Sequence, residues 1–215
     1  MLTLQRVYND IFLFHLKIEN MLNFHRINTV NNQFFSSLFN LYTLAFPPQE
    51  RRSWGGLEYE LNYEKRFCMN ALIQEGEFVG LFNYWTFDRF YYIEHLAISP
   101  KYRGQGIGSE AMGIFMDQVK LPIVLEVEMP NNIANSRRIL FYERLGFSIL
   151  SHNYAQPPYE GTGFLLPELI MTNDIHFANT HFEKIKEILY TNVYHYEYIN
   201  DKKTLIDDKL GGTIY

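Results

Sequence analysis

Residues 94–109 read EHLAISPKYRGQGIGS, and this stretch decides the fold. A β-rich run ends at Ile98 and meets Pro100. Glycines at 104, 106 and 108 then lead into a helix with Ile107, Ala111, Ile114, Phe115 and Val119 on its apolar face. Alternate glycines let backbone approach a ligand closely, and the unpaired N–H groups of a helix start form a concave donor cluster suited to phosphates. Arg103, Gly104, Gln105, Gly106, Ile107, Gly108 and Ser109 are therefore read as a pyrophosphate cradle. A P-loop would close on Gly-Lys-Ser/Thr, whereas Gly108 is followed by Ser109 and Glu110. A Rossmann fingerprint would need glycine or alanine at position 109 and a strand order that opens with the motif.

Upstream of the cradle lie three β-rich runs, 68–74, 77–87 and 90–98, separated by Glu75-Gly76 and Asp88-Arg89. They predict an antiparallel meander. Earlier still, 24–30 alternates as a strand, and Asn31 or Asn32 caps a helix carrying Phe34, Phe35, Leu38, Leu41, Tyr42 and Ala45 until Pro47-Pro48 stops it. Residues 49–66 suggest a short helix on an exposed loop. Downstream, the run after Pro122 (IVLEVEM) is a strand, so a strand–helix–strand unit predicts parallel pairing of 90–98 with 122–129. A helix over 134–145 closes on Gly146 at C′, and strands follow at 147–155 and 162–172, with Pro167 demanding an edge or a bulge. Thr180-His-Phe-Glu183 has the form of a capping box opening a helix with Phe182, Ile185, Ile188 and Leu189 on one side.

The chain has 215 residues, 47% of them apolar and 17% aromatic, which is enough for a core and excludes wholesale disorder. Nineteen Lys plus Arg against twenty-four Asp plus Glu give a net charge of −5, which does not favour nucleic acid as a partner. A lone Cys68 forms neither an intramolecular disulfide nor a cysteine-based zinc site; it is expected to be a small core residue in a reducing compartment. The segment 1–20 has no basic n-region or small-residue cleavage site, and no stretch reaches the length of uncharged apolar chain that spans a bilayer. The expectation is a cytoplasmic α/β protein with no membrane association: an extension over 1–20, one domain over 21–172, and a C-terminal helix and tail over 173–215. No HExxH or similar ligand pattern is present, and no metal is assigned.

Arg103-x-x-Gly106-x-Gly108, preceded by HLAISP, resembles the acetyl-CoA loop of the GCN5-related N-acetyltransferases. Some way past it, NSRRILFYERLGF (Asn135–Phe147) is similar to that family's second signature. The resemblance covers about residues 24–172 and implies a mixed central sheet of six to seven strands, with an N-terminal meander, a splayed parallel pair and flanking helices. It further implies acetyl-CoA as cosubstrate. The backbone of Leu96, Ala97 and Ile98 would bond the pantetheine arm, Arg103 to Ser109 would hold the pyrophosphate, and Asn135 would touch the arm. A β-bulge in the fourth strand would open the thioester slot, where backbone amides face the carbonyl.

A protonated amine has no lone pair, so transfer to it requires a base. By the resemblance Glu126 matches a position that serves as base in relatives that acetylate protein N-termini, and it shares a strand face with Glu128; Glu94, beside His95, is the competing carboxylate, and a base that is neither of them stays open. Tyr142 matches the usual general acid and thiolate contact. The acceptor side is expected in 46–66 and 152–163, where Trp54, Tyr59, Tyr63, Tyr154 and Tyr159 accompany Glu50, Glu58, Glu60 and Glu160. That mixture suits a cationic amine, while Arg51 and Arg52 would suit a carboxylate. Three readings stay open: an N-acetyltransferase of a primary amine of a small molecule or peptide, an N-terminal protein acetyltransferase, and a catalytically silent acyl-CoA sensor. The C-terminal helix could cover an acceptor groove or form a homodimer contact.

Overall fold

The computed structural model describes residues 21–159, 163–199 and 202–205. Segment 1–20, Glu160 and the last ten residues, about which the sequence raised expectations, lie outside the described residues. The chain divides into two compact units: Met1–Ala45 with Glu58–Thr86 and Ile93–Lys120, and Phe46–Leu57 with Phe87–Tyr92 and Leu121–Tyr215. Each unit is assembled from separate stretches of sequence.

In the first unit β1 (Asn23–Ile27), β2 (Phe67–Gln74), β3 (Glu77–Thr86) and β4 (Tyr91–Ile98) lie in the order β1-β2-β3-β4. The tight turn between β2 and β3 is made by Glu75 and Gly76, both at positive φ. α1 (Phe35–Ala45) opens where the Asn32 side chain accepts the Phe34 amide at 2.9 Å, and it buries Phe35, Leu38, Leu41 and Tyr42. α2 (Trp54–Tyr63) realises the short helix expected within 49–66. α3 (Ile107–Gln118) buries Ile107, Ala111, Met112 and Phe115, with Phe115 in ring contact with Phe82 and Tyr84. Cys68 is half-buried on β2.

β4 begins in the second unit, where the order continues β4-β5-β8-β6 with β7 against β8. β5 (Ile123–Glu128) runs parallel to β4, and β8 (Leu166–Thr172) is antiparallel to β5, β6 (Ser148–Ile149) and β7 (Tyr154–Gln156). The mixed sheet thus has eight strands. The excess over six to seven arises because the strand predicted over 147–155 is broken. Ile149 pairs with Met171 and Tyr154 with Glu168, five residue steps on one side against three on the other, so two residues loop out between β6 and β7. Pro167 precedes the first β5 pair, Glu168 with Glu128, so its missing N–H interrupts no ladder bond there. α4 (Ile133–Arg144) is capped by Asn132 and followed by Gly146 at φ +88°.

The capping box expected at 180–183 is corrected. α5 (Ile175–Ile188) starts six residues earlier, with the Asp174 side chain accepting the Phe177 amide at 2.9 Å. Thr180 lies inside it, its hydroxyl donating to the His176 carbonyl at 2.8 Å, and His181 next to it leaves helical geometry at φ −116°, ψ 16°. A threonine that bonds back one turn bends a helix as readily as it starts one. A π-turn over Leu189–Val193 and strands β9 (Tyr196–Ile199) and β10 (Lys202–Leu205) complete the described chain.

β4 carries one residue more than its partner. Phe87 donates to the Phe90 carbonyl and Ser99 to that of Val79, so β3 takes eight steps where β4 takes nine. One extra residue on one strand is the count of a β-bulge, as expected for this strand. Gly80 lets the strands meet there: a Cβ on it would lie 2.6 Å from the Ala97 carbonyl oxygen and 3.2 Å from a Leu72 methyl. Gly80→Ala is expected to cost about 1–3 kcal/mol by overpacking, read as a lowered urea midpoint with unchanged slope.

Candidate active site

In the first unit, Gly104 and Gly106 adopt φ +78° and +85°, and nothing lies within 4 Å of a Cβ built on either. Gly106 is the N-cap of α3 with no side-chain cap. Among the described residues the six backbone amides from Gly104 to Ser109 have no hydrogen-bond partner. Open space lined by unclaimed donors at a helix start fits a pyrophosphate. Arg103 is exposed and donates from Nε to the Ile98 carbonyl at 3.0 Å, tying the loop to the end of β4. That carbonyl is therefore already engaged, whereas the pantetheine arm was expected to reach the backbone of Leu96, Ala97 and Ile98. Ala97 is buried and its two neighbours are half-buried.

Glu94 is enclosed in the same unit. Its side chain has no exposed area, accepts the Trp85 indole N–H at 2.9 Å, and lies 3.8 Å from His95 Nδ1. His95 is buried against the edge of the Tyr42 ring.

The second unit gathers the other carboxylates. Glu126, half-buried on β5, accepts hydrogen bonds from three tyrosines: Tyr92 at 2.6 Å and Tyr194 on Oε2, and Tyr154 on Oε1. Three phenolic donors stabilise the ionised carboxylate and hold its orientation. Burial, then the Glu126 charge, pushes the Tyr154 and Tyr194 hydroxyls well above the usual phenol range, so both remain donors. Sequence reading placed Tyr154 on the acceptor side but missed Tyr92 and Tyr194, which are 34 and 68 residues from Glu126.

Glu126 shares a sheet face with Glu128, as expected. Glu128, however, is neutralised by an ion pair with Arg138 of α4, and the carboxyl that Glu126 perturbs is Glu168, opposite Glu128 on β8. Burial, and then the charges of Glu126 and Glu50, push Glu168 from 4.5 up to about 9 against the pull of Arg138. The folded protein therefore keeps a proton that the unfolded chain releases. The resulting stability is fully present below about pH 4.5 and is lost as pH rises through about 9, at roughly 1.4 kcal/mol per pH unit. Glu168→Gln is expected to flatten the fall of thermal stability between pH 7 and 9 and to be the more stable protein at pH 9, as read by melting curves across that range.

On α4, Tyr142 is 7% exposed and packs edge-on to Phe141 and beside Phe147. Burial pushes its hydroxyl up to about 12, partly offset by Arg138. Among the described residues that hydroxyl has no hydrogen-bond partner. Asn135 donates from Nδ2 to the Met129 carbonyl at 3.0 Å and so ties the start of α4 to the end of β5, leaving its Oδ1 for a ligand. Of the acceptor-side residues, Tyr159 meets both the Tyr194 ring and the Arg52 guanidinium, and Glu60 is buried. Arg52 spends a donor on the Val193 carbonyl at 2.6 Å and Arg51 one on that of Phe46 at 3.0 Å, so both have structural duties beside the carboxylate-binding role considered for them. No described helix is long and apolar enough to cross a membrane.

The model of the acetyltransferase (GNAT) family matches residues 35–147. A GNAT-family protein from Bacteroides thetaiotaomicron is similar at 35% identity and a TM-score of 0.75, over 80% of this chain and 98% of that one. An acetyltransferase from Thermus thermophilus shares the fold at 14% identity and a TM-score of 0.53, over 71% of this chain and 97% of its own. N-alpha-acetyltransferase 30 of Schizosaccharomyces pombe is 47% identical over 60 residues, 26% of this chain and 37% of that protein, so the match spans well under half the length of this curated relative. With more than half of its length inside the family model and the motif glycines in their expected strand–helix turn, this chain belongs to the GNAT acetyltransferase family.

Proposed function

We propose that the protein is an acetyl-CoA-dependent N-acetyltransferase acting on a primary amine, with residues 21–172 as its catalytic domain. The observation that carries this reading is the run of six unclaimed amides from Gly104 to Ser109, two of them on left-handed glycines. The amides of Gly104 to Ser109 would hold the pyrophosphate, and Asn135 Oδ1 the arm. When bound, acetyl-CoA supplies an activated acyl thioester. Glu126 takes the proton from the acceptor ammonium, held ready by Tyr92, Tyr154 and Tyr194. Tyr142 keeps its proton at neutral pH and gives it to the departing thiolate. The enclosure of Glu94 beneath Trp85 favours Glu126 over it as the base, since an amine must reach the group that deprotonates it.

A second reading, in which the acceptor is a peptide amino terminus, is favoured by the 60-residue likeness to an N-alpha-acetyltransferase. Release of free thiol from acetyl-CoA, measured across aliphatic amines, aminoglycosides and short peptides with calorimetric acetyl-CoA binding alongside, tests both. Amine-dependent release is expected. Tight binding without release on any acceptor would favour a silent sensor, and no binding would sink the cradle.

A further inference from the structure

On the Glu126 face of β5, β8 and β7, register places Glu128 opposite Glu168 and Glu168 opposite Tyr154, with Gln156 two residues further along β7. Glu168 is 6% exposed and, among the described residues, its side chain makes no hydrogen bond. Gln156 is 4% exposed, and its Nε2 has no partner. A buried amide nitrogen left unsatisfied is costly unless something else completes it, and the amide can turn either its oxygen or its nitrogen to a ligand. Glu168 is faced by Glu126 and Glu128 from β5, Tyr154 from β7, Glu50 from the 3₁₀ turn Pro48–Glu50, and Arg138, which is spent on Glu128. This surplus of negative groups suits a cation.

We propose that Glu168, with the Gln156 amide, binds a second cationic group of the acceptor, so that the substrate class is a short diamine. This rests on Glu126 being the base for the reacting amine. Glu126 already serves the reacting nitrogen as its base, so a second carboxyl serves catalysis best when paired with a charge that stays. Glu126 and Glu168 occupy diagonal positions on neighbouring strands, about 7–8 Å apart, within the reach of such a diamine. In the free protein burial, and then the Glu126 and Glu50 charges, favour the protonated Glu168 carboxyl at neutral pH. When the ammonium enters, the O–H bond breaks, the electron pair stays on the carboxylate that pairs with the cation, and the proton leaves to solvent.

The test compares 1,4-diaminobutane with 1-aminobutane on the full chain at pH 7.5, by calorimetry in two buffers of different ionisation heat and by acetyl-CoA thiol release. The expected result is about one proton released per diamine bound and a KM at least about 10-fold lower for the diamine. In Glu168→Gln the proton release disappears and the diamine KM rises about 100-fold with a smaller change in kcat. Equal KM for the two amines, failure of the diamine to bind, or proton release that persists in Glu168→Gln would overturn the proposal. The wild-type comparison stands even if the variant folds poorly. Thiol release with 1-aminobutane or a peptide but without diamine preference would remove this role for Glu168 and leave the acetyltransferase reading intact; no release with any acceptor would remove that reading itself.

Discussion

Replacing Glu126 by Gln is expected to lower kcat for acetyl transfer by about 10²–10⁴-fold while acetyl-CoA affinity stays within a few-fold of the parent. The amide keeps the shape of the carboxyl but cannot take a proton from an ammonium. Its environment makes the effect specific: Tyr92, Tyr154 and Tyr194 all direct hydroxyls at this one carboxylate, and Arg138 is engaged by Glu128 instead. The loss should shrink as pH rises, because a larger share of the acceptor arrives already deprotonated. Single-turnover rates between pH 7 and 10 measure this. A kcat within threefold of the parent at pH 7 would move the base elsewhere, with Glu94 the first alternative. Stability is a useful control, since the three hydroxyls lose a charged acceptor and a cost of about 1–3 kcal/mol is expected.

Tyr142→Phe is the second large effect. It deletes one oxygen and leaves the ring among Phe141 and Phe147, so the melting temperature should change little. The hydroxyl, pushed up to about 12 by burial, holds its proton throughout the neutral range and has no internal partner to lose. A drop in kcat of about 10²-fold or more is expected, and it should be smaller for an acyl donor whose leaving thiol has a lower pKa, since a better leaving group needs less help from an acid. Equal losses with both donors, or none, would assign Tyr142 to packing alone.

Much of the architecture is legible in the chain because it rests on local rules. Asn32 and Pro47-Pro48 bracket α1, Glu75-Gly76 turns β2 into β3, and Gly104, Gly106 and Gly146 stand where a left-handed residue is required. Local signals mislead where they compete. Thr180 and Glu183 carry the spacing of a helix start, yet Asp174 had already capped the helix, and the conflict surfaces as the bend at His181. Likewise the stretch 147–155 alternates like one strand, but the register of β8 accepts it only as two.

Glu168 shows what lay half in view. It has the strand parity of Ile170 and Thr172, both buried, so its position on an inward face could be read from alternation. Its protonation could not. That state depends first on burial and then on Glu126 and Glu50, brought near it by the order β5-β8 and by a turn more than a hundred residues earlier in the chain.

Glycine spacing and strand-to-helix order are properties of neighbouring residues, so the phosphate-binding turn and the family resemblance are legible in the chain alone, and that resemblance in turn marks Glu126 and Tyr142 as candidates. Only the tertiary structure decided which groups surround those candidates. It enclosed Glu94 against Trp85, turned three distant tyrosines onto Glu126, paired Glu128 with Arg138, and buried Glu168 near the Glu126 and Glu50 charges so that its carboxyl is the perturbed one. Charge and hydrogen bonding act through space over a few ångströms, and the distances that decide them are set by strand order and register, to which no local pattern gives access.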